Sequence, residues 1–589
     1  MAGEDRLSGL HDDLLRRVLH FAPAKEAAST TALSRRWRTA LWRSSGAVNL
    51  ETCVQNHRHG RLYSSTRDEA FYSGRDAFVS AALAALDAAD GGHVKRLTLR
   101  LSDRDDTALD DFLNRSRHSY YEDPEAAEPK VVDVLLSHPA ARRGEELRLA
   151  AEGHSSEAHE DREICWSQVG VYRLTVDVLP LETLRVLEIT NCKGLGLPKA
   201  AAAVALPRLS SLRLRYCVQS LGSLQWIIDA APVLSAVCLE SVQIDDHDMD
   251  EYYYIDDDAE EDDPPLPKEE DALLGLSCPA ATLLVLERCM WKKKHYNPRR
   301  AGNEKPVALV AAEIHAPRLR RFRYMGLLRP FSFSPQPLEL QQVDLEFFPD
   351  TDYGNNDPQH DLATFWRLVQ SFSSTKDMKL SLKLEAIAVV SKARQAELLP
   401  AFSSLERLEL HVVHGENVKK AALGIANLLR CCPVLRDLRI NLTTEDHHTS
   451  KNHEHTREFL KRKFRSSRDN PVDRFDCGCD SEEGHDEAIS SVAYDEVSEI
   501  PALSRRSFEC LQSSLNTVGL QFRFEKLNCL GVKLIKYFAE NAMVLEEIHI
   551  DSGNGRFCRH VHRKIETCIT HSSKRRNQIP SFAVLTLKR

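Results

Sequence analysis

The strongest constraint on the fold of this chain is an apolar pattern that recurs at a fixed interval. The pattern is L-x-x-L-x-L-x-x-N/C, and the segment from Leu184 to Cys192 matches it in every apolar position. Matching segments begin 25 residues later at Leu209 and a further 25 residues later at Leu234. Intervals of about 20–29 residues are typical of repeats that each add one short strand to a growing sheet. The sequence therefore predicts a parallel sheet made of consecutive repeat strands.

This pattern resembles the leucine-rich repeat, and looser copies of it continue along the chain. An amphipathic segment between two copies, Leu221–Ala231, predicts a short helix. The predicted fold class is therefore an α/β solenoid with irregular repeats. The looser copies begin at Val94, Ala281, Leu319, Leu340, Leu405, Leu435 and Leu545.

Polar and acidic insertions account for the irregular spacing. Such segments bury too little apolar area to offset the entropy of ordering, so we expect them to be mobile. The two longest are an acidic insertion at residues 245–267 and a polar one at residues 443–500. Shorter ones are predicted at residues 103–129, 153–164, 291–306 and 350–360.

Composition and charge favour a globular protein that binds neither membranes nor nucleic acids. Of 589 residues, 28% are charged and 42% are hydrophobic, and no apolar run approaches the roughly 18 residues of a membrane span. Twelve carboxylates lie between Asp245 and Asp263, and removing them from the net charge of −9 leaves +3. No secretory signal is recognisable, so we expect the 15 cysteines to be reduced thiols.

Residues 5–45 differ from the repeats and predict three short helices. Leu14, Leu15, Val18 and Leu19 are spaced along one predicted helix. A break at Pro23 and an alanine-rich helix follow, and a spacing of four residues predicts that Leu33, Trp37 and Leu41 share a helical face. A piece this small buries little area by itself, so we expect its apolar side chains to need a partner surface.

This N-terminal segment resembles the plant F-box. The resemblance rests on Asp5–Ser8, on Asp13–Leu15 and above all on Leu33–Arg38. His11 replaces a proline that is usual in the family, which should weaken the start of the first helix. The resemblance implies that the segment binds a Skp-type adaptor, through the apolar residues Leu7, Leu10, Leu14, Leu15, Val18, Leu19, Leu33 and Trp37.

A second resemblance lies near the C-terminus. The segment Gly531–Ile548 is similar to the FBD module that closes many plant F-box/leucine-rich-repeat proteins. We therefore predict an F-box at residues 1–48, linker helices at 49–90, leucine-rich repeats at 91–505 and FBD-like C-terminal repeats at 506–589.

The family resemblance implies a non-catalytic subunit of an SCF-type cullin–RING ubiquitin ligase, found in the nucleus and/or the cytoplasm. Its F-box would bind the adaptor and through it cullin, and its repeats would hold a target protein, so that the ligase acts by proximity. Three alternatives stay open: a repeat scaffold that recruits no ligase, a helical segment that only caps the first repeat, and a receptor whose arginines hold a small anion.

Other candidate sites are weaker. Cys477 and Cys479 lie near several histidines but lack the paired spacing of structural zinc ligands, so we predict no metal and no cofactor. Cys192, Cys217 and Cys289 occupy the N/C position of the repeat, where a small side chain packs into the core. Basic runs such as residues 292–300 and 461–465 are nuclear-import signals, anion-binding patches or, as we favour for each, solvated loops.

Overall fold

The fold comes from a computed structural model that describes part of the chain. It forms two compact units: residues 1–319 with 333–337 are unit 1, and residues 320–332 with 338–589 are unit 2. The described residues are 10–38, 41–54, 65–89, 94–103, 106–114, 130–153, 170–197, 205–245, 274–292, 312–329, 331–348, 358–389, 391–415, 417–444, 503, 507–522, 529–551 and 584–587.

Unit 1 contains a main parallel sheet and smaller sheets beside it. The strand order of the main sheet in this unit is β1-β2-β3-β5-β7-β9-β12, and β8, β10 and β13 form a second parallel sheet, while β4 pairs with β6 and β11 with β14. The strands are β1 Ala47–Cys53, β2 Arg96–Ser102, β3 Glu146–Glu152, β4 Tyr172–Thr175, β5 Val186–Thr190, β6 Cys192–Gly196, β7 Ser211–Arg215, β8 Val218–Ser220, β9 Ala236–Glu240, β10 Gln243–Asp245, β11 Leu274–Ser277, β12 Leu283–Glu287, β13 Met290–Lys292 and β14 Ala312–His315.

The repeat residues set the register of this sheet. Ile189, Leu214, Leu239 and Leu286 pair with one another across β5, β7, β9 and β12, and all four are buried. Because side chains alternate along a strand, the residues between them point to the other side. The predicted parallel sheet is therefore confirmed, with the repeat leucines and isoleucines on its buried side.

A left-handed turn residue follows each of these four strands. Asn191, Tyr216, Ser241 and Arg288 have φ angles of 63°, 49°, 52° and 52°. The amides of the first three donate to the carbonyl oxygens of residues 215, 240 and 287 on the next strand, at 2.7–2.9 Å. Positive φ is unfavourable for tyrosine, serine and arginine, though asparagine adopts it more readily, so contacts with the neighbouring strand help to stabilise these turns. The turn is therefore repeated from strand to strand, and the first three turns depend on contacts with the next strand.

Unit 2 continues the same construction with larger side chains. Trp366, Phe322, Phe372 and Phe402 are fully buried, and the rings of Phe322 and Phe372 stack with centroids 5.5 Å apart. Its parallel order is β15-β17-β18-β19-β20-β21-β22-β23. The strands are β15 Arg321–Leu327, β17 Gln342–Phe348, β18 Asp377–Lys383, β19 Arg407–His414, β20 Asp437–Thr444, β21 Thr517–Phe522, β22 Glu547–Asp551 and β23 Val584–Leu587; β16, Phe331–Phe333, includes residues of each unit.

Short helices connect the strands. Among the described residues, no helix is both long and apolar enough to cross a membrane. The α-helices are Asp12–Leu19, Ala24–Ser29, Arg35–Arg38, Ser65–Ala89, Asp106–Asn114, Val131–Leu136 and Leu221–Asp229 in unit 1, and Pro358–Gln370, Lys392–Leu398, Val418–Cys431, Glu509–Ser513 and Cys529–Asn541 in unit 2. The predicted helix at 221–231 is among them.

Two sequence-based expectations need correction. Residues 103–129 were expected to be a mobile insertion, but residues 106–114 form a helix that buries Leu109 and Leu113 in the core. Residues 49–53 were expected in a helical linker, but they form β1 with Ala47 and Val48, and β1 pairs along its whole length with β2. The sheet therefore begins before the predicted repeat array. The other domain boundaries stay predictions.

Most of the remaining predicted insertions lie outside the described residues. Of the acidic insertion, only Asp245 at the end of β10 is described. Of the polar one, only Thr443 and Thr444 at the end of β20 are described. The expected mobility of these segments, and the zinc hypothesis for Cys477 and Cys479, therefore remain untested by the structure.

Candidate docking surfaces

The N-terminal helices form a small core inside unit 1. Four partly buried residues pack against this core cluster: Leu10, Ala22, Ala28 and Ala88. Ala88 belongs to the long helix Ser65–Ala89, so the cluster is completed by a segment about 50 residues further along the chain. Its buried members are Leu15, Leu19, Ala27, Trp37, Leu41 and Trp42. The two tryptophans are therefore buried against other residues of this chain, whereas the sequence led us to expect that they need a partner surface.

The structure divides the eight residues predicted to bind an adaptor. Leu15, Leu19 and Trp37 lie inside the cluster, and Leu10 packs against it. Leu14, Val18 and Leu33 lie outside, with 49%, 54% and 68% of their surface exposed. Leu7 lies outside the described residues. Of the seven predicted residues that the structure describes, these three, together with Leu10 in part, have free apolar area to offer another protein.

The shared face predicted for Leu33, Trp37 and Leu41 is wrong. A 3-10 turn ends at Ala32 and the next helix begins at Arg35, so Leu33 lies between two helical segments. A spacing of four residues places side chains on one face only within a single helix. Trp37 and Leu41 are buried, whereas Leu33 points to solvent.

Phe21 is an exposed apolar residue that the sequence analysis missed. It is 66% exposed and lies in the turn that ends the first helix, where its amide donates to the carbonyl oxygen of Val18 at 3.1 Å. Leu14, Val18 and Phe21 follow one another at helical spacing of four and three residues. We call these three residues the docking stripe. Its spacing was visible in the sequence, but the exposure of Phe21 depends on how the helix packs.

Polar contacts fix the start of the first helix. His11 is the N-cap residue, and its Nδ1 accepts from the amide of Asp13 at 3.4 Å. The guanidinium of Arg36 donates to the Asp12 carboxylate at 2.8 Å and also to the carbonyl oxygen of Leu10. The hydrogen bond from Arg36 is the main cause that lowers the pKa of Asp12. His11 therefore supplies a side-chain cap where the related motif has proline, and Arg36 ties the third helix to the first.

The exposed side of the sheet in unit 1 carries arginines that are paired with carboxylates. Glu240 Oε1 accepts from Arg213 Nε at 2.7 Å, and Arg215 Nε lies 2.8 Å from Glu240 Oε2. Burial would lower the pKa of Arg213, but Glu240 outweighs it and raises the pKa. With Arg321 and Arg323, these two arginines were the nearest approach to the cationic cluster of the anion-receptor hypothesis, and their pairing with Glu240 weakens that hypothesis.

In unit 2, strands of the parallel sheet form a groove that is lined by both acidic and basic side chains. Its volume is about 230 Å³, and Asp377, Arg407 and Asp437 are among the residues that line it. Lys379 Nζ lies 3.2 Å from Glu409 Oε1 across neighbouring strands, and Arg407 pairs with Asp377. Acidic and basic side chains thus alternate from strand to strand, so the groove favours a polar protein surface over a single-sign ligand.

Hydrogen bonds also lower the pKa of Glu409 in this groove. Burial would raise the pKa of Glu409, but hydrogen bonds from His411, at 2.6 Å, and from Lys379 outweigh burial and hold the pKa below its usual range. Asp344, on the strand beside Lys379, has a raised pKa because its burial exceeds the effect of Arg323 and Lys379. Glu409 in the groove and Asp344 on β17 beside it therefore have opposite pKa shifts.

Of the cysteines at the N/C position of the repeat, Cys192 and Cys217 are buried and Cys289 is partly exposed. Cys217 Sγ donates to the carbonyl oxygen of Arg215 at 3.1 Å, and Cys289 Sγ donates to that of Leu239 at 3.3 Å. Burial raises the pKa of each to about 12, and it raises the pKa of Cys192 as well. The residues that the structure describes contain no group of three potential metal ligands. These thiols are part of the core.

Alkylation should distinguish these thiols from Cys53, which is exposed at the end of β1. At pH 8 a thiol with a pKa near 12 is ionised on the order of a thousandfold less than an ordinary cysteine. We expect iodoacetamide to modify Cys53 in the native protein and to leave Cys217 and Cys289 unmodified, as read by peptide mass spectrometry. Equal modification of all three would contradict their burial.

The C-terminal helix Cys529–Asn541 packs its apolar side onto the last repeats. Leu530, Leu534, Ile535 and Phe538 are buried, and the helix leads through a turn into β22. This is the helix and strand of the segment that resembled an FBD module. The family model for FBD matches residues 504–550, which include both elements.

Curated relatives give the wider context. The chain is 51% identical over 51 residues to an Arabidopsis thaliana protein named as FBD-associated F-box protein, which is 8% of this chain and 27% of the relative. It is 52% identical over 46 residues to an F-box/FBD/LRR-repeat protein, 8% of this chain and 10% of the relative, and 36% identical over 93 residues to an F-box/LRR-repeat protein, 15% and 19%, both from the same plant. These findings support the plant F-box/FBD/leucine-rich-repeat family.

Proteins of this F-box/FBD/leucine-rich-repeat family are generally adaptors and not enzymes. The alignments cover about a quarter or less of the relatives' own length. The likeness in these segments supports that general class for this chain. Its partners and its role within a ligase are proposals.

Proposed function

We propose that this chain is the substrate-recognition subunit of an SCF-type cullin–RING ubiquitin ligase. The N-terminal helices would be an F-box that binds a Skp-type adaptor through the docking stripe and Leu33, and through the adaptor cullin. The repeats, in an α/β solenoid, would bind a target protein on the polar side of the sheet. The subunit would act in the nucleus and/or the cytoplasm and would catalyse no reaction itself.

The observation that carries this proposal is the division of the N-terminal apolar residues into a buried and an exposed set. Leu15, Leu19 and Trp37 hold the helices together, so the segment is folded without a partner. Leu14, Val18 and Phe21 nevertheless remain half or more exposed. Apolar side chains grouped on a packed helix, with no structural need to be exposed, mark a protein interaction site. The relatives named as F-box proteins support the choice of adaptor.

The alternative is a leucine-rich-repeat scaffold that binds a partner without recruiting a ligase. Size-exclusion chromatography of the purified full chain with a Skp-type adaptor and a cullin separates the two. We expect all three proteins to elute in one complex, and the variant Leu14→Asp, which changes an exposed side chain, to elute alone. Elution of the wild-type chain apart from the adaptor would reject the ligase role and favour the scaffold.

A further inference from the structure

Two buried polar side chains connect the N-terminal helices to the main sheet of unit 1. Asn49 in β1 donates from Nδ2 to the carbonyl oxygens of His20 at 3.0 Å and of Ala22 at 2.9 Å. Arg96 in β2 donates to the same oxygen of His20. Both side chains are almost completely buried, with 4% and 7% of their surface exposed. The segment that ends the first helix is thus fastened to two adjacent strands.

The guanidinium of Arg96 makes two further kinds of contact there. Its Cζ lies 4.7 Å from the centre of the Phe21 ring, a cation–π distance. Its charge interacts with Glu146 in β3 and Glu188 in β5, and also with the like charge of Arg148. Arg96 therefore contacts the helix end directly, and its charge is also stabilised by the carboxylates of β3 and β5.

We call the contacts of Asn49 and Arg96 with the helix end the joint. Holding the helix end to the sheet in this way costs free energy. Burying a charged guanidinium costs free energy that its contacts must recover, and Arg96 Nε finds no partner among the described residues. Apolar side chains of similar volume would pack the same gap without that cost, but they would not select particular carbonyl oxygens. The contacts at His20 and Ala22 specify one orientation of the helix end.

We infer that Asn49 and Arg96 are positioning residues that fix the direction of the docking stripe relative to the main sheet of unit 1. The use of this direction rests on the proposed function, because a ligase complex transfers ubiquitin only when its adaptor and the target are held in a defined geometry. The rigidity itself does not depend on any partner. It can therefore be measured on the free protein.

The test is a distance distribution between two spin labels, one at Arg17 on the first helix and one at Glu182 in the turn before β5, both exposed. Genetically encoded non-natural amino acids would carry the labels, since the chain has 15 cysteines. We expect one narrow distribution for the wild type. We expect its width to grow about twofold in the double variant Asn49→Leu, Arg96→Met, because the specific contacts are lost.

Arg100→Met is the matched control, because Arg100 lies on the same strand as Arg96 but its side chain is 53% exposed. It should leave the distribution unchanged. Arg96→Lys keeps the charge with fewer donors and should give an intermediate width, and it serves as the readout if the double variant does not fold. An unchanged width in the double variant or in Arg96→Lys, or a wild type that is already broad, would overturn the inference.

Adaptor binding separates this inference from the proposed function. Asn49 is buried and contacts only backbone oxygens on either side of Phe21, so it offers an adaptor no surface of its own, and Asn49→Leu should change adaptor affinity by no more than about a factor of two. A wild-type chain that is rigid but binds no adaptor would reject the proposed function and leave the joint intact. Loss of adaptor binding in Asn49→Leu would contradict its role as a positioning residue only.

Discussion

Replacing both Leu14 and Val18 by alanine is expected to weaken binding of a Skp-type adaptor about a hundredfold. Both side chains are about half exposed and lie four residues apart on one helical face. Apolar anchors of this kind each contribute about 1.5 kcal/mol when an interface removes them from water, and about 3 kcal/mol corresponds to a factor of roughly a hundred. The effect should appear mainly as faster dissociation in a surface-binding experiment with purified adaptor.

Val233→Ala is the control for this experiment. Val233 is 48% exposed, as Leu14 and Val18 are, but it lies in the turn before β9. Its truncation should leave the adaptor affinity unchanged. Equal losses for Val233 and for the docking stripe would show that adaptor binding does not depend on the N-terminal helices.

The second large effect is on stability. Leu15→Ala is expected to lower the free energy of unfolding by about 3 kcal/mol, because Leu15 is fully buried in the N-terminal cluster and its truncation leaves a cavity. Leu14→Ala, the same change one residue earlier, should cost no more than about 0.5 kcal/mol. Urea unfolding followed by tryptophan fluorescence reports on this cluster, which contains Trp37 and Trp42.

Similar stabilities for the two variants would contradict the division of these neighbours into a buried and an exposed residue. The comparison is sensitive because the two changes remove the same atoms. The comparison also separates two causes of weaker adaptor binding. Leu15→Ala would weaken binding because it disturbs the helices, whereas Leu14→Ala would weaken binding while the helices stay intact.

The strands of the parallel sheet could be predicted from the sequence at most places where an apolar residue occupies the first position of the pattern. β5, β7, β9 and β12 are preceded by Leu184, Leu209, Leu234 and Ala281, and the prediction found all four. β1, β3, β18, β21 and β23 were missed, and β21 was missed although Leu515 occupies the first position of its pattern. In β3 and β18, Gly144 and Thr375 stand at that first position.

The structure shows why these two replacements are tolerated. Thr375 is fully buried, and its Oγ1 donates to the carbonyl oxygen of Gln341 at 3.0 Å, so a hydrogen bond replaces apolar packing. At Gly144, a Cβ would lie 3.2 Å from the carbonyl oxygen of Ala141, which is closer than most side chains tolerate. Both depend on contacts with other segments, which a pattern within one repeat does not contain.

The candidate docking site was less predictable than the sheet. The sequence indicated an apolar helix at residues 12–19, but helical periodicity alone assigned Leu14 and Leu15 to the same role. Their separation depends on Trp42 and Ala88, which complete the cluster from segments well beyond the helix. The joint at Asn49 and Arg96 was not predictable at all, because a single asparagine and a single arginine carry no pattern.

Isothermal titration of the purified full chain with a Skp-type adaptor tests the central claim most directly. The proposal predicts saturation at one adaptor per chain, with a negative heat-capacity change as the docking stripe is removed from water. The variant Leu14→Ala, Val18→Ala should show weak binding or none under the same conditions, while it melts at the wild-type temperature. A wild-type chain that gives no binding heat at any temperature and does not co-elute with the adaptor would contradict the claim.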